Sequence, residues 1–435
     1  MPLSMLKAPP SRPRFPARAL SPELIACAVA TLLMLPAARA DQTPPLSLAE
    51  ALRLASDRSP QIAAQRSAID SAQEASVSAR QLPDPKLFFG VENLPVSTSE
   101  SFSFTQDFMT MRKIGLMQDF PRAEKRDLKG KLAEQVAARE QAMLGDVQLA
   151  LQREVAGAWI ERYFGQRMAA VVDEQMAEIQ LQADAMQAGL ASGKAQPAEL
   201  LAVQVNLQTL QDKRAAFDKQ AARAKVMLAR WLGDAAARPL DPFALPALPA
   251  DRGALAEHIA HHPHLQSLEH QVQVAQADAS LAQASAKPDW SLEFAYAQRG
   301  PSFSNMISVQ ITVDLPLFRR NRQNRDIASK AALVEQARDL KEDALRQHLS
   351  DEQAAWVDFD TATARLQHFD DSLGPLSHER MQAALAAYRG GRTDLAPVLQ
   401  ARRDELDVKL QAVQLAADQA RAYAQLLYFL PEAIR

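Results

Sequence analysis

Residues 306–326 read MISVQITVDLPLFRRNRQNRD. From Ile307 to Leu315 the residues alternate. Ile307, Val309, Ile311, Val313 and Leu315 are apolar, and Ser308, Gln310, Thr312 and Asp314 are polar. A period of two is that of a β-strand with one greasy and one polar face. Pro316 then stops the pattern, because proline cannot donate to a sheet ladder. Arg319, Arg320, Arg322 and Arg325 follow it. Nine residues is the length a tilted strand needs to cross a bilayer, roughly 9–11.

The rest of the chain differs. Long stretches rich in Ala, Gln, Leu, Glu and Arg carry helical spacing. The N-terminus has a basic segment (Lys7, Arg12, Arg14, Arg18), an apolar run from Leu24 to Leu35, and Ala38-Arg39-Ala40. That three-part pattern predicts an export signal over 1–40, cut before Asp41. The single cysteine, Cys27, lies inside it, so the exported chain has no thiol. Removing the signal changes the net charge from −3 to −7, which excludes nucleic acid as an expected partner.

The chain also repeats itself. "ALRLASDRSPQIAAQ" at Ala51 pairs with "ALAEHIAHHPHLQSL" at Ala254, aligning Pro60 with Pro263 and Pro85 with Pro288. "IGLMQDFP" at Ile114 pairs with "VQITVDLP" at Val309, and Gly193 aligns with Gly391. These pairs predict a first repeat over 41–240, a proline-rich linker over 241–250 and a second repeat over 251–435. Each repeat has a helix, two strands, a very long helix, a glycine turn and another helix. Ser47 and Glu50 form a capping-box pattern, and Asp251 is a candidate N-cap. No proline interrupts Arg122 to Gln196, so a helix on the order of 100 Å is expected there. The second long helix, from about Arg319, should kink at Gly374-Pro375.

The other strands are expected at Pro85–Leu94, Arg112–Phe120 and Trp290–Ala297. Four strands cannot close a barrel in lipid, where unpaired edges are not tolerated and closed barrels begin at ~8 strands. Several chains must then share one barrel. The arginines after Pro316, and Arg122, Lys125 and Arg126 after Pro121, are positioned to meet anionic headgroups.

With "LSLAEALRLA" (46–55), "VDLPLFRRNRQ" (313–323) and "YRGGRTDLAPVLQAR" (388–402) in this order, the chain resembles the TolC family of outer-membrane efflux proteins. The resemblance implies a mainly α fold with a small transmembrane β part. It implies a homotrimer with a long α-helical barrel and a shared twelve-stranded β-barrel, spanning the outer membrane and extending into the periplasm. It further implies partnership with a periplasmic adaptor and an inner-membrane RND-type pump, and no cofactor. "FMTMRKIGLMQDFPRAEKR" (108–126) resembles the branch that serves copper/silver or cobalt/zinc/cadmium pumps. By the same resemblance Gly193 and Gly391 sit at helix turns near a periplasmic gate. There Glu199 matches an acid, Tyr388 a tyrosine, and Arg392 falls one residue from an arginine. Pro397 and Gln400 stand where the family can carry a gating aspartate pair.

No nucleotide loop, HExxH or cysteine centre is present, so no enzyme is expected. Two weak metal signals remain. One is His258 and His262 at i, i+4 within a run that also holds His261, His264 and His270. The other is Met109, Met111 and Met117, whose thioethers suit soft cations. Three functions stay open: an efflux channel for metals or drugs, the outer-membrane channel of a type I protein secretion system, and a soluble periplasmic coiled-coil scaffold.

Overall fold

The computed structural model describes residues 44–97, 99–191, 196–245, 259 and 261–429. The expected signal over 1–40, Gly193, Asp251 and His258 lie outside the described residues, as does the second half of the linker, 246–250. From Leu46 onward the chain forms one compact unit. Its elements are α1 (Leu48–Arg58), α2 (Pro60–Ala79), β1 (Lys86–Glu92), β2 (Met111–Phe120), α3 (Ala123–Ala191) and α4 (Pro197–Leu232). After a 3₁₀ turn at Gly233–Ala237 come α5 (Pro263–Ser285), β3 (Trp290–Gln298), β4 (Met306–Val313) and α6 (Gln323–His368). A π-helical turn at Phe369–Leu373 leads into α7 (Gly374–Arg389), and α8 (Ala396–Phe429) ends the described chain.

α3 has 69 residues, a length of about 100 Å. It is the spine: α2 and α5 pack along its first part, and α4 and α8 along the rest. The main core gathers where α1, α3, α4 and α8 meet, around Leu46, Trp159, Ile160, Leu228 and Leu232. Trp159 donates its indole N–H to the carbonyl of Leu46 at 3.2 Å, so the large buried ring leaves no unsatisfied donor. The described part of the expected linker is docked here. Leu240 bridges to Leu46, and Phe243 packs on Trp159, Tyr163 and Phe164.

Several sequence expectations are corrected. Pro60 splits the opening helix, because the residue before a proline disfavours the α region. Ser59 sits there in extended geometry and caps α2 by accepting from the Ile62 N–H. The second repeat makes the same joint with His262 before Pro263. Ser47 does cap α1, but Glu50 does not complete the box: its carboxylate takes both guanidinium arms of Arg238, at 2.8 and 3.0 Å. α6 starts at Gln323 and not near Arg319, because 317–320 form a hydrogen-bonded turn. The break expected at Gly374-Pro375 is a π-turn in which the Gly374 N–H reaches back to the Phe369 carbonyl. β4 ends at Val313, so Leu315 lies beyond the strand, directly before Pro316.

Candidate functional site

The four strands form one antiparallel sheet in the order β1-β2-β3-β4. Its register assembles the apolar residues of both repeats into rows on one face. Phe89, Ile114, Tyr296 and Ile307 make one row, and Leu87, Leu116, Phe294 and Val309 the next. Leu292 with Ile311, then Phe120, Trp290 and Val313, extend the face toward the helices. Ile307, Val309 and Ile311 are each about two-thirds exposed, and Phe89 is 81 % exposed. Among the described residues nothing covers these positions. Phe120 and Trp290 stack at 4.4 Å on its helix side, where a membrane barrel places an aromatic girdle.

The opposite face is polar and crosslinked. Lys113 lies between Glu92 and Glu293, at 3.1 and 3.0 Å, joining three strands. Lys86 meets Asp119 at 2.8 Å, and Ser291 pairs with Thr312 in register. Phe88, which blurs the alternation of β1 in the sequence, belongs to this face. Its ring lies over Gly115, where any Cβ would come within 2.5 Å of it. Met111 and Met117 also lie on this face, six residues apart, with Met109 in the hairpin, so the three thioethers do not converge.

Both hairpin connections leave the sheet at one end and both helix connections at the other. The helix end is braced in the first repeat. Lys125, expected to reach headgroups, is buried. It donates to Asp289 at 2.8 Å and to the Lys287 carbonyl at 2.7 Å. Arg122 donates its backbone N–H to Asp289 and its Nε to the Pro288 carbonyl. These two cations hold the junction together, because a buried ammonium needs a carboxylate partner.

At the other end of the long helices, Gly391 adopts φ +67°. The Arg392 N–H bonds to the Ala387 carbonyl and the Gly391 N–H to that of Tyr388, a Schellman stop for α7. Tyr388 is partly buried, with its hydroxyl 3.9 Å from the Met186 sulfur. Burial, and after it the charge of Glu199, push its pKa up. Glu199 also caps α4, accepting from the Gln196 N–H at 3.2 Å. Arg392 is exposed and makes no ion pair with Glu199 within the chain. Gln400 bonds to Asp404 and Arg403 on its own helix. A polar cluster the sequence reading missed lies about half a turn to one and a half turns further along α8. Arg402 is buried against Glu178, and Glu405, 3 % exposed, takes His378 and Lys409.

His262 is 1 % exposed with both ring nitrogens used. Nδ1 accepts from the His264 N–H, and Nε2 lies 3.0 Å from the Tyr428 carbonyl. It is a neutral helix cap, its pKa lowered to about 4 by burial and by the neighbouring His348. A ring held this way offers no free nitrogen to a metal. His264 Nδ1 faces His348 Nε2 at 2.8 Å, a contact between the two ends of the second repeat's hairpin segment that spacing could not reveal. Among the described residues no group of three or more His, Cys, Asp or Glu is placed to hold a metal ion, and no helix is long and apolar enough to cross a membrane.

Residues 254–430 match the model of the family described as outer membrane efflux protein. No curated protein sequence matches the chain. Solved structures do. The outer membrane protein VceC of Vibrio cholerae aligns at TM-score 0.75 and 18 % identity, over 88 % of this chain and 95 % of that one. The Campylobacter jejuni CmeC outer membrane channel aligns at 0.75 and 11 %, over 88 % and 85 %. CusC, described by its transmembrane channel formation, aligns at 0.74 and 15 %, over 88 % and 91 %. At these identities the structures show the fold alone, and the similarity to the outer membrane efflux protein family covers residues 254–430, the second half of the chain.

Proposed function

We propose that three copies of this chain close one twelve-stranded barrel and that their helices continue it as a periplasmic duct. The observation that carries this reading is the apolar sheet face, which extends across all four strands with Gln118 as a polar position within it and is bounded by the open edges of β1 and β4. An open edge in lipid leaves backbone groups unsatisfied, each at a cost of several kcal/mol. Copies joined β4 to β1 remove every edge. The duct takes its substrate from an inner-membrane pump of the RND type through a periplasmic adaptor. Its gate lies at the turn beyond α7, with Glu199, Tyr388, Arg392 and Gln400 the residues assigned to it.

Heavy-metal cations are the assigned cargo. Support comes from the resemblance of residues 108–126 to the heavy-metal branch. A passive duct need not bind what it conducts, so the bonded state of His262 does not oppose this assignment. A deletion strain tested against copper, silver, cobalt, zinc, cadmium and common antibiotics decides it. Sensitisation to one group of metals supports the assignment. Sensitisation to drugs alone, or loss of a secreted protein with no sensitisation, overturns it.

A further inference from the structure

The two repeats cross from sheet to helix in different ways. In the first, β2 ends at Phe120 and α3 begins at Ala123, with only Pro121 and Arg122 between. In the second, α6 begins seven residues after the matching Pro316. The fold therefore does not require the extra turn, since the first repeat makes the same junction without it. That turn carries Leu317, Phe318, Arg319 and Arg320. Its backbone is bonded to itself: the Asn321 and Arg322 N–H groups reach the Phe318 carbonyl, and the Asn324 N–H reaches that of Arg319.

The turn displays what the chain elsewhere hides. Leu315, Leu317 and Phe318 are 69, 76 and 79 % exposed. They follow the apolar positions of β4 along the chain past Val313. From Ile307 to Val313 a strand rises about 20 Å, and a tilt of roughly 40° leaves about 15 Å of height, less than the ~25 Å apolar band of a membrane barrel. Side chains beyond the strand must complete the band on the helix side, and these three are placed to do so. Directly after them stand the arginines. Arg319 donates to the Ala286 carbonyl at 3.0 Å, fixing the turn against α5. Arg320, Arg322 and Arg325 are exposed and form no ion pair among the described residues, although Asp314 and Asp326 share a hollow with Arg322. Guanidinium groups at the rim of an apolar band meet phosphate oxygens in fork geometry.

We propose that the turn 315–325 is a binding surface for anionic phospholipid headgroups of the membrane leaflet facing the periplasm, with Leu317 and Phe318 in the acyl region and Arg320 and Arg322 on the phosphate. The inference rests on the outer-membrane channel reading. It is tested on the detergent-extracted full-length assembly, titrated separately with short-chain phosphatidylglycerol, phosphatidylcholine and inorganic phosphate, with thermal dissociation of the oligomer as readout. Phosphatidylglycerol should protect at lower concentration than phosphatidylcholine, and inorganic phosphate should not protect. Arg320→Gln with Arg322→Gln should weaken the phosphatidylglycerol response about thirtyfold, at about 1 kcal/mol per charge, and leave phosphatidylcholine protection and channel conductance intact. Leu317→Ser with Phe318→Ser should weaken protection by both lipids. Equal protection by the two lipids, an unchanged response in the arginine variant, protection by inorganic phosphate alone, or oligomer loss in that variant without lipid would each overturn the proposal. A wild-type assembly that conducts yet ignores phosphatidylglycerol defeats only the lipid surface. One that never conducts defeats the channel reading beneath it.

Discussion

Ile311 and Thr312 are neighbours on β4 whose side chains lie on opposite faces, Ile311 opposite Leu292 and Thr312 opposite Ser291. Ile311→Arg should put a charge on the lipid face at a cost of ~2–4 kcal/mol per chain and reduce the heat-modifiable oligomer on gels. Thr312→Arg should assemble normally, and equal behaviour of the two would contradict the assigned faces. His262 makes a prediction in pH. Its folded pKa, about 4, lies below the ordinary value of 6.5. Between those values the unfolded chain binds a proton that the folded chain refuses, so stability should fall as pH drops from 6.5 and the loss should be complete near 4. His262→Asn keeps an acceptor for the α5 cap and should flatten that slope in thermal unfolding, leaving a remainder from His348, whose pKa burial also lowers. The spacing of His258 and His262 read as a metal face. The proline after His262 was the better signal, because it makes His262 the residue before a helix start. Lys125 likewise read as a surface cation, and only the tertiary approach of Asp289 turned it inward.

At the level of elements, the long helices were legible because uninterrupted composition over 70 or more residues leaves few alternatives to α3, and α3 still needs α2, α4, α5 and α8 beside it. The β4 strand was legible from strict alternation. β1 was expected at Pro85–Leu94 and forms at Lys86–Glu92, but its faces were not legible, because Phe88 fills the space above Gly115 on the polar face, a cross-strand relation absent from β1 taken alone. The turn after α7 was legible through Gly391, whose positive φ fits a residue without Cβ. The pairing at that turn was less so, since Arg392 is exposed and forms no ion pair among the described residues. Glu199→Lys should raise single-channel conductance in planar bilayers and sensitise cells to large antibiotics. Glu199→Gln separates charge from structure, because an amide oxygen still accepts from the Gln196 N–H that caps α4. A smaller rise in conductance is expected with it. Unchanged conductance in Glu199→Lys, in a protein that still assembles, would place the gate elsewhere, with Tyr388 and Gln400 next in line.

For the molecule as a whole, the duplication proposed from the sequence accounts for four strands from sequence positions some two hundred residues apart forming one sheet. Each repeat contributes a hairpin, and β2 pairs with β3 across the repeat boundary through nine residues from Arg112 to Phe120. The same duplication leaves β1 and β4 as edges, which a single chain cannot pair. The proposed shared barrel rests on the apolar face, the polar face and the edges together, and the gate, the cargo and the lipid surface all depend on it. The most direct measurement is the protein mass of the conducting species, by sedimentation in detergent of outer-membrane extracts whose activity is then confirmed in planar bilayers. The account predicts three chains in every conducting particle. A stable single chain that conducts would contradict it.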